Sequence, residues 1–162
     1  MIKLILLLSV ISISANCNTH KRTEENQKQI EEFPPPPARK IDKDNLIGFA
    51  CYYSGSMSDP VKMFSNFLRK KDYKSIRKKL HDASPAERYL STVTCERLLH
   101  KGLIKLTDTE LNQIAKNKES KALISICSGC TSQEELTMQE LFYSEKNFLS
   151  DNTKNWLQEM IN

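Results

Sequence analysis

Helix-start signals recur along this chain from residue 59 onward, and they constrain its fold more than any other feature. A side-chain oxygen just before a helix takes up a backbone N–H that the first turn leaves without a partner. Asp59 can cap in this way before Pro60, whose fixed φ suits a first helical position, with Val61, Phe64 and Leu68 following at spacings of three and four. Asp72 can cap a second short helix carrying Tyr73, Ile76 and Leu80 on one face. Ser84-Pro85-Ala86-Glu87 and Thr107-Asp108-Thr109-Glu110 are capping boxes, and Thr137-Met138-Gln139-Glu140 caps a further helix.

The helix opened at Ser84 reaches a left-handed stop at Gly102. Its apolar residues (Ala86, Tyr89, Leu90, Val93, Cys95, Leu98, Leu99) spread round much of its surface, which predicts a central position. In the next helix Leu111, Ile114 and Ala115 are expected inward, then Met138, Leu141 and Phe142. Asp151 starts the last, with Trp156, Leu157, Met160 and Ile161.

Two runs read differently. Residues 46–53 (Leu-Ile-Gly-Phe-Ala-Cys-Tyr-Tyr) and 122–127 (Ala-Leu-Ile-Ser-Ile-Cys) are short, apolar and closed by Ser and Gly, as buried strands are. Paired, they form a two-stranded ribbon that must lie on the helices, because an isolated pair is not stable. The expected fold is therefore mainly α with a minor two-stranded β element, in one domain over residues 46–162. The short helices between 59 and 117, joined by tight turns, resemble helical hairpins of the HEAT kind, which implies stacking of successive pairs.

The N-terminal residues carry an address. Lys3 supplies a positive charge, Leu4 to Ile13 an apolar run of about ten residues where a bilayer span needs roughly 20, and Ser14-Ala15-Asn16 short side chains before Cys17. Residues 1–16 thus have the layout of a secretory signal. Ser14-Ala15-Asn16-Cys17 resembles the lipobox of bacterial lipoproteins, with Ser14 and Asn16 departing from the usual Leu and Gly or Ala. The resemblance implies cleavage before Cys17 and acylation of its sulfur, and so a protein held on a membrane in the cell envelope. Ordinary cleavage after Ala15 and free secretion is the alternative. Residues 17–45 are polar up to Pro34-Pro35-Pro36-Pro37 and have little to bury, so they are expected to form a disordered, proline-stiffened tether.

Beyond Cys17, the even cysteine count (Cys51, Cys95, Cys127, Cys130) points to disulfides in an exported chain. Cys51 with Cys127 would staple the ribbon, and Cys127 with Cys130 would close a local loop. The Cys127-Ser128-Gly129-Cys130 spacing also permits a thiol-redox pair, although a thioredoxin layout is excluded because no proline follows Pro85. A four-thiolate zinc site would have to use two isolated cysteines, so no metal is expected.

A basic stretch holds Lys62, Arg69, Lys70, Lys71, Lys74, Arg77, Lys78 and Lys79 against the single acid Asp72. With apolar faces turned inward these side chains point to solvent, and Arg69, Lys70, Lys74, Arg77, Lys78 and Lys79 become candidates for meeting an anionic partner. A formal charge of +4, falling to +3 when Lys3 is removed, is too small to argue for nucleic acid, which the export signal also disfavours. His81 and His100 suit helix C-termini, and neither they nor Glu87, Glu96, Glu134 and Glu135 form a recognisable catalytic spacing. Four glycines leave little room for a cradled cofactor, and none is expected. The expected role is partner binding, to another protein, without catalysis. The alternatives are a redox accessory role for Cys127 and Cys130, and an immunity or inhibitor role for the charged face.

Overall fold

Capping decides where the helices begin. In the computed structural model, which describes residues 42–129, 132–144 and 148–161, the Asp72 carboxylate accepts from the Ser75 N–H at 3.1 Å and opens α2 (Tyr73–Lys78). Complete capping boxes open α4 (Asp108–Lys118) at Thr107 and α5 (Met138–Tyr143) at Thr137. Ser84 caps α3 (Pro85–His100), but Glu87 turns to Lys79 instead of back to the cap. Helix α1 (Asp59–Arg69) starts one residue earlier than expected, with Ser58 as the cap residue. The Ser58 hydroxyl does not cap; it accepts from the Gly48 N–H at 3.1 Å. Helix α6 (Phe148–Met160) also begins before Asp151, which lies in its first turn.

The sheet has three strands rather than two. Strand β1 (Leu46–Ile47) pairs in parallel with β2 (Leu123–Ser128), Ile47 opposite Ile126, and β2 pairs antiparallel with β3 (Ser132–Thr137), Ile124 opposite Leu136. The run expected as a strand over 46–53 is extended only at Leu46–Ile47; it turns at Gly48 and returns to pair Cys51 with Ser56 and with Gly129. The fold is mainly α with a minor β element, as the sequence indicates.

Helix α3 is the hub. Tyr89, Leu90, Cys95 and Leu98 are buried on it together with Ser91, Thr92 and Thr94, and α1, α2, α4, β2 and the 3-10 turn Lys79–His81 all pack against it. Its end is a left-handed stop: Gly102 (φ 68°) donates to Leu99 O and Leu103 to Leu98 O. Helix α6 closes back onto α1, where Trp156 Nε1 donates to Ser65 Oγ at 3.0 Å inside the core. That closure sets the helices round a hub, whereas HEAT-like hairpins would stack in a row.

Folded structure begins before residue 46. Lys43–Asn45 is a 3-10 turn, and Asn45 both accepts from the Ala86 N–H and donates to Leu123 O, joining α3 to β2. Residues 1–16, expected to be a secretory signal, Cys17, the prolines 34–37 and Cys130 lie outside the described residues.

Candidate functional site

Alternation along β2 sorts its side chains. Ile124 and Ile126 join the helical core with Ile47 of β1, so Leu46 and Cys127 point to the opposite face. There Leu46, Cys51 and Cys127 form a small cluster of their own, and Cys51 and Cys127 are joined by a disulfide. Of the two pairings weighed for Cys127 in the sequence, the structure has the one with Cys51, which lies in the loop after β1.

The loop around the bridge is fitted to it. A Cβ added at Gly48 would lie 2.8 Å from the Cys127 carbonyl oxygen and 3.0 Å from its sulfur, and nearer still to Cys51 Sγ, so no side chain fits there. Tyr52, at φ 58°, donates its N–H to Gly129 O, and Gly129 donates to Ala50 O. Tyr53 stands almost wholly in solvent. Beside the bridge a cleft of about 160 Å³ runs between Leu46, Tyr52 and Met57, with Lys43 and Lys62 at its rim.

Cys95 lies apart from the bridge. It is fully buried on α3 and forms no disulfide, and burial pushes its thiol up to about 12. Burial of this kind disfavours the thiolate that exchange and metal binding need. Its burial in the helix core is what the apolar pattern of α3 already allowed.

The basic stretch divides into two sets. Arg77 grips Glu110 with both arms, Nε to Oε1 at 2.6 Å and Nη2 to Oε2 at 2.8 Å. Lys79 pairs with Asp82 and with Glu87. These two cations, expected on a solvated face, are half-buried and brace α2 and the turn after it against α4 and α3. Lys62 pairs with Asp59, and Arg69 donates to Asn66. Lys70, Lys71, Lys74 and Lys78 are exposed and form no ion pair among the described residues, although Lys74 and Lys70 help to hold the Asp72 carboxyl below its ordinary range, after its hydrogen bonds from Ser75.

Glu134 and Glu135 stand on β3 opposite Ile126 and Ser125, and Glu87 lies in the first turn of α3. A feature that the spacing of residues did not reveal is an amide network. Asn117 is buried on α4, donates to Leu80 O and to Thr92 Oγ1, and accepts from Gln113. No protein-family model matches the chain, and no curated protein or solved structure matches it.

Proposed function

We propose that this chain is an exported precursor, cut before Cys17 and acylated there, whose folded domain acts without catalysis by binding another protein at the cell envelope. The observation that carries the reading is the Cys51–Cys127 bridge, which belongs with the export signal because disulfides persist in oxidising compartments and are rare in the cytosol. Binding is favoured over redox work because the reactive groups are committed to architecture: Cys127 to Cys51, Cys95 to the core, Arg77 and Lys79 to carboxylates. That leaves Arg69, Lys70, Lys74 and Lys78 to face an acidic partner. Several acyl chains would hold the protein firmly, since each buried methylene contributes about 0.8 kcal/mol.

Intact mass of the protein purified from its native membrane tests the anchor. The expected spectrum has the chain beginning at Cys17 with acyl groups added, and, under denaturing conditions, extra alkyl labels at Cys51 and Cys127 that appear only after reduction. A chain beginning elsewhere without acyl mass would defeat the anchor, and labelling of Cys51 and Cys127 without reduction would remove the support for export.

A further inference from the structure

Where the turn Lys79–His81, α3 and α4 meet, an open polar cleft of about 270 Å³ gathers positive charge that the fold does not neutralise. Arg88 enters from α3. Its Nη1 donates to the carbonyls of Asp82 at 3.0 Å and Ala83 at 3.4 Å, which fixes the guanidinium plane and leaves Nε and Nη2 as donors with no carboxylate paired to them among the described residues. Lys116 enters from α4, exposed and in no ion pair among the described residues, and the exposed His81 ring closes the third side.

One acid lines the cleft, and it is occupied. Asp82 accepts from Lys79 Nζ at 3.0 Å and from the Ser84 N–H at 3.0 Å, so its charge is answered from behind. The wall between the cations is rigid: Asn117 is locked by Leu80 O and Thr92 Oγ1, and Gln113 is hydrogen-bonded to it. Ser120 Oγ at the far edge accepts from the Ala122 N–H, which leaves its hydroxyl hydrogen to donate outward.

We propose that this cleft binds a phosphate group between Arg88 and Lys116, with His81 and Ser120 as further donors. A flat, singly charged carboxylate would use one fork of the guanidinium; donors converging from three elements suit a tetrahedral oxyanion with acceptors on every side. The cleft takes a group of that size and not an extended surface. Its openness admits either free phosphate or the headgroup of a phospholipid.

The test is a titration of sodium phosphate into the intact protein, at ionic strength held constant with chloride, followed through backbone amide shifts. Saturable shifts are expected at His81, Asp82, Arg88, Lys116 and Ser120. Lys116→Gln should weaken the affinity about tenfold, the loss of one charge-assisted hydrogen bond, with its melting temperature unchanged. Lys105→Gln, exposed between α3 and α4 and not lining the cleft, should bind phosphate as the parent does. Vesicles of phosphatidylglycerol, compared with phosphatidylcholine, separate the sources: binding to the former that weakens in Lys116→Gln identifies a headgroup site, and saturable phosphate binding without it identifies a site for soluble phosphate. Shifts that rise without saturating, or equal affinity in the parent and Lys116→Gln, would overturn the proposal.

Discussion

One glutamate at the start of α4 answers four donors. Glu110 receives both arms of Arg77 and, through Oε2, the N–H and hydroxyl of Thr107. The Arg77 guanidinium above all, with the Thr107 donors helping, lowers its carboxyl from 4.5 to about 2 against the cost of partial burial. A carboxyl depressed by folding contributes stability above its unfolded value, and that contribution is lost as pH falls from about 4.5 toward 2. The shift alone would correspond to about 3 kcal/mol, but Arg77 is 35 % exposed and solvent screens the pair. Glu110→Gln should therefore destabilise the protein by about 1–2 kcal/mol at pH 7 in urea unfolding, and the gap from wild type should nearly close at pH 2. An undiminished gap at pH 2 would mean that the pair contributes through shape and not charge. The capping half of this arrangement was legible in the sequence, because Thr107 and Glu110 are three residues apart. The Arg77 half was not, since its partner lies 33 residues away and a run of basic residues looks the same whether or not one of them is engaged.

At the scale of elements, local signals were reliable and facing directions were not. Every helix expected from the sequence forms, because caps and prolines act within a single turn. Strand β3 was invisible: Ser132–Thr137 is a polar stretch that is extended because β2 offers it a ladder, and that contact lies outside any local window. Helix α4 faces the core differently from what its apolar residues imply. Ile114 is inward as expected, but Leu111 is 42 % exposed and Ala115 faces solvent, while the polar Asn117 is buried. The reason is energetic: the Leu80 carbonyl and the Thr92 hydroxyl lie under α4 and need a donor, and leaving such groups without one costs about 1–3 kcal/mol. Turning Leu111 outward forfeits only part of one side chain's burial. Asn117→Ala should accordingly cost about 2 kcal/mol, and Leu111→Gln less than about 0.5. Comparable losses for the two in thermal or urea unfolding would place the inward face of α4 elsewhere.

Across the whole molecule, the bridge between Cys51 and Cys127 ties together positions 76 residues apart. Everything from α1 to α4 lies inside that loop. Strand β1 is only two residues long and pairs in parallel with β2, and among the described residues Leu46 is the sole apolar residue clustered with the two sulfurs on the outer face of the sheet. Such a segment has little area to hold it in place, so the bridge must restrict the unfolded chain. In the chain-entropy picture a loop of this length contributes about 4 kcal/mol, against total stabilities of about 5–15 kcal/mol for a domain. The sequence offered the right pair because both cysteines sit on the apolar runs, though nothing in it chose between Cys51 and Cys130 as the partner of Cys127. Replacing both bridge residues, Cys51→Ala with Cys127→Ala, should lower unfolding stability by about 4 kcal/mol. It should also speed amide exchange first at Gly48, Cys51, Tyr52 and Ser58, whose hydrogen bonds hold the loop, while Leu90 and Leu98 in the hub helix remain protected. A loss below about 1 kcal/mol with exchange unchanged at those four amides would show that hydrogen bonds from Ser56, Ser58 and Gly129 hold the segment unaided. A loss spread evenly over α3 would instead make the bridge part of the single cooperative unit, leaving no separately anchored edge.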